Sequence, residues 1–224
     1  MIPVITIDGP SGTGKGTLAA LLAERLGWGC LDSGAIYRAL GLAAERRGLD
    51  LDDGEALAPL ARTLPLTFDG RRVLLDGDDV GHAIRTEGAG AAASRVAVHA
   101  QVRSALLDWQ RGQAQPPGLV ADGRDMGTVV FPEAPLKLFL DASPEERAAR
   151  RYKQLKEKGL GASLANLVED IRARDERDRS RAVAPLRPAY DAVRVDSTRL
   201  SIEEVQDRVW EEVRRVFPDL AIRA

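Results

Sequence analysis

A glycine-rich segment near the start of the chain has the residue types and the spacing of a site for nucleotide phosphates. Residues 9–17 read GPSGTGKGT, which contains the pattern G-x-x-x-x-G-K between Gly9 and Lys15. Glycines allow the backbone angles that turn successive N–H groups toward a phosphate, and the lysine adds a mobile positive charge. A β-rich run precedes the segment and an amphipathic helical pattern follows it, as this motif requires. We expect Lys15 to face solvent, with a ligand phosphate as its partner.

The same segment predicts a loop that surrounds the phosphates of a nucleoside triphosphate, and by itself it does not distinguish kinases, GTPases and ATPase motors. The predicted nucleotide-binding residues are Gly9, Pro10, Ser11, Gly12, Thr13, Gly14, Lys15, Gly16 and Thr17. Gly16 occupies the position where such loops usually carry Ser or Thr, and Thr17 follows it. Asp122 ends a later apolar run, as a magnesium-binding acid does in phosphate-loop proteins. We therefore expect Mg²⁺ to be held by Thr17 and Asp122, directly or through water.

Two further charges follow the apolar run that ends at Asp122. Arg124 and Asp125 lie in the sequence DGRDMG, beside a glycine that permits close approach. Two charges at the end of a central strand are costly to bury unless they pair with each other or with a ligand. A binding role is the interpretation that we favour, and a mutual ion pair is the alternative.

The sequence DSGAIYR, residues 32–38, starts the helical pattern after the second apolar run. Ser33 suits the N-cap of that helix, and Arg38 suits its exposed surface. A strand-end Asp-Ser pair with an arginine one turn later also suits a sugar or phosphate. The residues alone leave both interpretations open.

The densest charge run, RARDERDRSR, covers residues 172–181. Helical spacing places four of its members on one face, namely Arg174, Arg177, Asp178 and Arg181. Such runs are usually solvated faces with i,i+4 pairs, but converging arginines beside an acid also suit phosphate binding. A similar cationic face lies upstream and contains Arg147, Arg150 and Arg151. The two helices together predict a lid over residues 147–181 that carries arginine to the transferred phosphoryl group.

The elements that must position these residues are short apolar runs that each end in aspartate. The five runs are Pro3–Asp8, Gly29–Asp32, Leu119–Asp122, Leu136–Asp141 and Val193–Asp196. Helical patterns occur at Gly14–Leu26, Ser33–Ala44, Pro144–Glu157, Leu164–Arg181 and Ser201–Val216. Alternating strands and helices predict βαβ units and a parallel sheet. Ligands of such sheets bind beyond the carboxyl ends of the strands, where all five aspartates lie.

Residues 63–85 interrupt the alternation of parallel strands and helices. The segment alternates apolar and polar residues and carries two turn signals, Asp69-Gly70 and Asp76-Gly77. It predicts a small antiparallel hairpin or meander inserted between helices.

Length, charge and composition narrow the class of protein. The chain has 224 residues, a formal net charge of −2 and one cysteine. Such a charge offers no strong positive field for nucleic acid, and one cysteine excludes an internal disulfide framework. The N-terminus has no basic segment of a signal peptide, and no apolar run approaches the roughly 18 residues that span a bilayer. We expect one cytoplasmic domain, residues 1–224, that acts as a monomer without a membrane partner.

Several of these segments together resemble the bacterial-type cytidylate kinases, which are phosphate-loop kinases of nucleoside monophosphates. The matching strings are GPSGTGKGT, LDSGAIYRAL, ADGRDMGTVVFP, IRARDERDRSRAVAPL and the later DST. The resemblance runs from Ile5 to about Val213, and the insertion at 63–85 resembles the enlarged CMP-binding part of that family. The resemblance implies an α/β fold with a five-stranded parallel sheet, helices on both faces, a CMP-binding insertion and a short lid. It also implies transfer of the γ-phosphoryl group of ATP to CMP or dCMP, giving CDP or dCDP.

The resemblance also implies roles for individual residues of this chain. Ser33 and Asp178 would contact the cytosine, and Asp125 would contact the ribose. The monophosphate would be held by Arg38, Arg103 and Arg124. Arg174 and Arg181 would bridge phosphates, and Ser94 would complete the CMP site. The residues implied to stabilise the transferred group are Lys15, Arg124, Arg151, Arg174 and Arg181.

Two other functions remain possible at this point. One is another small-molecule kinase with a phosphate loop, acting on UMP, AMP or shikimate. The other is a nucleotide-binding regulatory module that transfers no phosphate, although the strand-end aspartates and clustered arginines disfavour it.

Overall fold

The architecture is taken from a computed structural model that describes residues 2–69, 72–157, 159 and 161–220. The strands are β1 (Val4–Asp8), β2 (Gly29–Asp32), β3 (Leu66–Asp69), β4 (Arg72–Leu75), β5 (Asp78–Asp79), β6 (Leu119–Gly123), β7 (Leu136–Asp141) and β8 (Val193–Asp196). The helices are α1 (Lys15–Leu26), α2 (Ser33–Arg46), α3 (Gly54–Arg62), α4 (Glu87–Val96), α5 (Ala100–Gly112), α6 (Pro144–Glu157), α7 (Leu164–Ser180) and α8 (Ile202–Val216). A π-helical turn, Met126–Val130, follows β6.

The predicted parallel sheet is confirmed, and its strand order is β2-β6-β1-β7-β8. β1 is central and pairs in parallel with both β6 and β7, so that Asp8 lies level with Gly123 on one side and Phe139 on the other. The inner strands β1, β6 and β7 are buried almost throughout, which is why they read as apolar runs, whereas the edge strands β2 and β8 are partly exposed. Their shared carboxyl edge brings the strand-end aspartates to one end of the sheet.

Helices α1 and α8 contribute to the core against this sheet. The core includes Ile7 and Leu138 of the sheet, Leu22 of α1, and Val209 and Trp210 of α8. The predicted apolar stripe of α8 is buried at three of its four valines, and Val216 is half-buried. The predicted start of α8 is also confirmed, because Ser201 and Glu204 cap it reciprocally.

The described residues form two compact units. One contains the residues up to Leu31 together with those from Ala114 onward, and the other is Asp32–Gln113. The second unit holds helices α2 to α5 and a three-stranded antiparallel sheet in the order β3-β4-β5. This confirms the predicted meander within 63–85.

The turn between β4 and β5 forms as its sequence predicts. Asp76 and Gly77 both have positive φ, 53° and 87°, and Leu75 pairs with Asp78 across them. A two-residue loop in which both residues have positive φ matches the twist of a hairpin. Asp-Gly is among the sequences that tolerate this conformation. Of the other predicted turn, Asp69-Gly70, Gly70 lies outside the described residues.

The two arginine-rich helices form as predicted, because α6 spans Pro144–Glu157 and α7 spans Leu164–Ser180. Residues 158 and 160 of the predicted lid lie outside the described residues. Among the described residues, no helix combines the length and the apolar character needed to cross a bilayer.

Candidate active site

The glycine-rich loop joins the central strand β1 to helix α1, and three of its glycines have positive φ. The φ values are 155° at Gly9, 79° at Gly12 and 90° at Gly14. At Gly9 the constraint is also steric, because a Cβ there would lie 2.0 Å from the carbonyl oxygen of Leu140. The start of the loop therefore passes against β7 so closely that only glycine fits.

The expectation that Lys15 faces solvent is wrong. Lys15 is buried, its Nζ donates to the carbonyl oxygen of Pro10 at 3.2 Å, and it lies 3.8 Å from Oδ1 of Asp122. The amine bends back because the loop offers it a carbonyl and β6 offers it a carboxylate. The lysine is thus held at the phosphate loop by the chain itself.

Asp122 lies against the first turn of α1, and this position explains Gly16. A Cβ at Gly16 would lie 3.1 Å from Oδ2 of Asp122. The glycine therefore leaves room for a carboxylate beside the loop, where a larger residue would crowd it. Thr17, the next residue, is exposed.

The residues at this position fit Mg²⁺ that arrives with a nucleotide. Among the described residues, no group of three or more His, Cys, Asp or Glu side chains is placed to enclose a metal ion. Mg²⁺ is commonly bound by only one or two carboxylates, and phosphate oxygens and waters complete its shell. Asp122 lies beside the phosphate loop, and Thr17 offers a hydroxyl two residues after Lys15. These two residues suit that arrangement.

Asp8 is a residue of this edge to which the sequence assigned no role. Its two carboxylate oxygens each accept a backbone hydrogen bond at 2.8 Å, from Met126 and from Gly127. Burial raises the pKa of Asp8 to about 7, against the lowering effect of the two bonds, and the charges of Asp125 and Asp122 raise it further. The residue thus anchors the turn that directly follows Arg124 and Asp125. Its place at the end of the strand that enters the phosphate loop was a signal for this role.

Arg124, Asp178 and Arg181 form a charged cluster in which Asp178 and Arg181 are buried and Arg124 is half-buried. Nε of Arg124 donates to Oδ2 of Asp178 at 2.9 Å, and Nη2 of Arg181 lies 3.6 Å from Oδ1 of the same carboxylate. Arg124 thus takes an ion-pair partner from α7, 54 residues further along the chain. Asp125 is itself buried at the start of the π-helical turn.

Electrostatics keeps this cluster ionised. Burial alone would raise the pKa of Asp178, but the positive charges of Arg124, Arg181 and Arg174 outweigh it and the pKa lies below its usual range. Burial likewise acts to lower the pKa of Arg124, and Asp178 more than compensates. Arg174 is half-buried one turn before Asp178. The structure therefore brings together Arg124, Asp178 and Arg181 with Arg174 near them, all within the first unit.

The three arginines of α6 have different surroundings. Arg147 is buried and pairs with Asp175, whereas Arg150 pairs with Glu146 and donates to the carbonyl oxygen of Ser197. Arg151 donates to Gln154 at 3.4 Å on the outer part of the helix.

In the second unit, the N-cap of α2 is not Ser33. The residue before it caps the helix, because Oδ1 of Asp32 accepts the backbone N–H of Ala35 at 2.9 Å. Its other oxygen accepts from Nη2 of Arg38 at 3.0 Å. Aspartate caps as well as serine does, and here it also meets the arginine one turn on. Ser33 is buried as the first residue of the helix.

The remaining predicted residues of this unit lie on α4 and α5. Ser94 is buried and its hydroxyl has no hydrogen-bond partner among the described residues, and the same holds for Nε of Arg38. Arg103 is buried, donates to the carbonyl oxygen of Ala97 and lies 5.5 Å from the ring centre of Tyr37. Buried polar atoms without partners are uncommon in proteins and call for an explanation such as a ligand.

Comparison with known proteins adds a family to this geometry. The cytidylate kinase family matches the sequence over residues 5–215. A cytidylate kinase from Pseudomonas savastanoi pv. phaseolicola is 60% identical over 217 residues, which cover 94% of this chain and 95% of that protein. A cytidylate kinase from Aeromonas hydrophila is 61% identical over 209 residues, which cover 92% of this chain and 91% of that protein.

Solved structures support the fold. An unliganded sugar kinase from a Janibacter species matches with a TM-score of 0.50 at 17% identity over 100% of both chains. An uncharacterised protein from Eubacterium ventriosum matches with a TM-score of 0.53 at 10% identity, over 96% of this chain and 99% of that one. At such identities the likeness concerns the fold alone.

The pKa of Asp8 predicts how its contribution to stability changes with pH. Because the folded pKa, about 7, exceeds the ordinary value of 3.8, the folded state binds more protons between these two values. The free energy of unfolding that depends on Asp8 should therefore fall as pH rises through this window, by about 1.4 kcal/mol per unit, and level off above it. Urea unfolding of the wild type and of Asp8→Asn at pH 5, 6, 7 and 8 measures the difference. Parallel stability curves for the two proteins would contradict it.

Proposed function

The chain belongs to the cytidylate kinase family, whose reaction is ATP-dependent phosphorylation of CMP and dCMP, and we propose that it performs this transfer in line at the carboxyl edge of its parallel sheet. One observation carries the proposal. Asp122, the last residue but one of strand β6, lies 3.8 Å from Nζ of Lys15 in the phosphate loop, and two residues later Arg124 binds Asp178. Donor loop and arginine cluster are thus supported by the same strand end.

On the donor side, we propose that the amides of residues 9–17 bind the phosphates of ATP. Lys15 would exchange its contact with the Pro10 carbonyl for the β- and γ-phosphate oxygens, a stronger, charge-assisted partner. Asp122 and Thr17 would hold Mg²⁺, which when bound offsets charge on the phosphates. The positive end of α1, which begins at Lys15, favours the same anions.

On the acceptor side, the first unit would supply the charged cluster. Arg124 and Arg181 are proposed to bind phosphate oxygens together with Arg174, and Asp125 the ribose. Asp178 would accept a hydrogen bond from the exocyclic amine of cytosine. A carboxylate has about four lone-pair sites, so its bonds to the arginines do not exhaust it.

The second unit would supply further CMP-binding groups, which are Ser33, Arg38, Ser94 and Arg103. Support comes from the buried hydroxyl of Ser94 and from Nε of Arg38, since neither has a hydrogen-bond partner among the described residues. A ligand that satisfies both would remove an energetic penalty of about 1–3 kcal/mol for each group. We assign residues 63–85 to the CMP-binding part and residues 147–181 to the lid.

The transfer itself needs no dedicated base. Phosphoryl transfer depends mainly on positioning and on cancellation of charge on the phosphate oxygens. Lys15, Arg124, Arg174 and Arg181 are proposed to cancel that charge. Arg151 of α6 would join them from the lid.

We also propose that the enzyme acts as a monomer in the cytoplasm. The exposed large apolar residues among those described are scattered along the chain, at Val98, Leu164, Val183, Tyr190 and Ile202. Size-exclusion chromatography with light scattering tests the oligomeric state.

An acceptor panel tests the proposed function directly. With ATP as donor, consumption should require an added acceptor, and CMP and dCMP should be preferred over UMP, AMP and shikimate. ATP hydrolysis that is indifferent to acceptors would indicate a nucleotide-binding module instead. Preference for a different acceptor would identify another small-molecule kinase.

Lys15→Ala should reduce kcat by about 100-fold or more, because a charge that meets the transferred phosphoryl group is lost. Lys15→Met keeps most of the side-chain volume and should be equally inactive, so that the effect is assigned to charge rather than packing. A coupled assay measures kcat, and thermal unfolding verifies that both variants fold. If the kcat of either variant lies within threefold of the wild-type value, the assignment of this loop as the ATP site is wrong.

Asp178→Ala and Arg181→Ala should fail in different ways, although their side chains are neighbours. Loss of Arg181 should lower kcat/KM for CMP and UMP by the same factor, since both acceptors carry the same phosphate. Loss of Asp178 should lower kcat/KM for CMP more than for UMP, because UMP has a carbonyl where cytosine has its amine.

Steady-state kinetics with both acceptors decides the role of Asp178. An unchanged CMP/UMP ratio in Asp178→Ala would leave that residue only the task of holding Arg124 and Arg181. Asp178→Asn serves as the milder variant, since it leaves an oxygen for one arginine and keeps the side-chain volume.

A further inference from the structure

The most completely buried ion pair of the described chain joins α6 to α7 and lies outside the groups assigned to substrates. The side chains of Arg147 and Asp175 are only 1% and 3% exposed. Nη1 of Arg147 donates to Oδ1 of Asp175 at 3.0 Å, and Nη2 donates to Oδ2. This two-bond geometry fixes both the distance and the relative orientation of the two side chains.

Arg147 also binds two backbone carbonyls, one at the end of the sheet and one in the phosphate loop. Its Nε donates to the oxygen of Ala142, directly after β7, at 2.9 Å. Its Nη1 donates to the oxygen of Ser11 at 3.1 Å. A single guanidinium therefore connects the sheet, the phosphate loop and α7.

The bond to Ser11 fixes the direction of a loop amide. In a trans peptide the C=O of one residue and the N–H of the next point in opposite directions. Holding the Ser11 carbonyl toward Arg147 therefore turns the N–H of Gly12 away from it. Gly12 is also close, because a Cβ there would lie 3.4 Å from Cβ of Arg147. Arg147 thus supports the loop and helps to fix the direction of one of its donors.

The bond to Asp175 fixes the rotation of α7. Asp175 and Asp178 are three residues apart, hence on the same face of the helix, and both are buried. Asp178 in turn holds Arg124 and lies beside Arg181. Rotation of α7 about its axis would break the pair with Arg147 and displace the carboxylate of Asp178 together.

We propose that Arg147 and Asp175 are positioning residues that transmit nucleotide binding at the phosphate loop to the charged cluster around Asp178 of α7. Bound phosphates order the loop amides and so keep the Ser11 carbonyl in place. This carbonyl fixes Arg147, and Arg147 fixes the rotation of α7 that places Asp178 in the cluster. Stability alone explains the pair poorly, because buried ion pairs often contribute little more than an apolar pair of the same size. The inference rests on the proposed binding of ATP by the loop.

Hydrogen exchange with matched variants tests this link. Arg147→Lys keeps a charge for Asp175 but loses the fork that also reaches Ser11. The double variant Arg147→Met/Asp175→Leu removes both charges and retains apolar volume. Glu145→Gln is the control, because Glu145 binds Arg172 across the same two helices at an exposed position.

A non-hydrolysable ATP analogue with Mg²⁺ is the probe, and its binding to each variant is measured by calorimetry. In the wild type and in Glu145→Gln, the analogue should slow exchange across α7 by about threefold or more. In Arg147→Lys and in the double variant the analogue should still bind, but exchange of α7 should not change. Their kcat for CMP should fall by about tenfold or more, because the cluster is misplaced.

Two results would overturn the link. One is equal slowing of α7 exchange by bound analogue in the wild type and in Arg147→Lys. The other is a Glu145→Gln variant in which the analogue-induced slowing of α7 exchange and the kcat for CMP fall as far as they do in Arg147→Lys. If Arg147→Lys does not fold, the double variant decides on the same two measurements. Failure of the proposed function is distinguishable, since the wild type would then bind the analogue without phosphorylating CMP.

Discussion

Buried charge at the carboxyl edge of the parallel sheet is the constraint on which the rest of this structure depends. A carboxylate or guanidinium taken out of water costs several kcal/mol unless partners replace the water. Asp8 is matched by two backbone N–H groups, Asp178 by arginines, and Arg147 by Asp175 and two carbonyls. These partnerships fix the positions of strand ends, loop and helices at once. The charged groups are thereby arranged in advance of any ligand, which is what electrostatic catalysis requires.

The sequence was sufficient for those parts of the fold whose signal is local. An apolar run followed by aspartate marked each of the five parallel strands, and Asp76-Gly77 marked a turn, because both depend on neighbouring residues alone. The phosphate loop could also be predicted, because its glycines are required by the local backbone angles and, at Gly9, by one close contact with Leu140. Helix α8 could be predicted to within one residue from its cap and its valine stripe.

The partners of the charged residues could not be read in this way, because they are distant in sequence. Arg124 finds Asp178 54 residues away, and Asp8 finds the N–H of Met126 118 residues away. Small local choices were also decided by tertiary contacts. Asp32 displaced Ser33 as the cap of α2 because it also meets Arg38, and Lys15 bends inward because β6 places Asp122 beside it. Periodicity locates such residues on a face but does not name what they touch.

The arginines of α6 and α7 are chemically identical in the sequence, and the structure separates them by how their charge is balanced. Arg147 meets one carboxylate that is devoted to it, so that pair is neutral and suits a supporting role. Asp178 is shared among three guanidinium groups, those of Arg124, Arg174 and Arg181, whose charges lower its pKa. A carboxylate that several arginines share in this way suits the proposed binding of a further anion at the same cluster. A phosphate is a suitable anion, because one guanidinium group can bind two of its oxygens at once. The same residue type thus supports the structure at one position and, in the proposed function, supplies charge for the substrate at another.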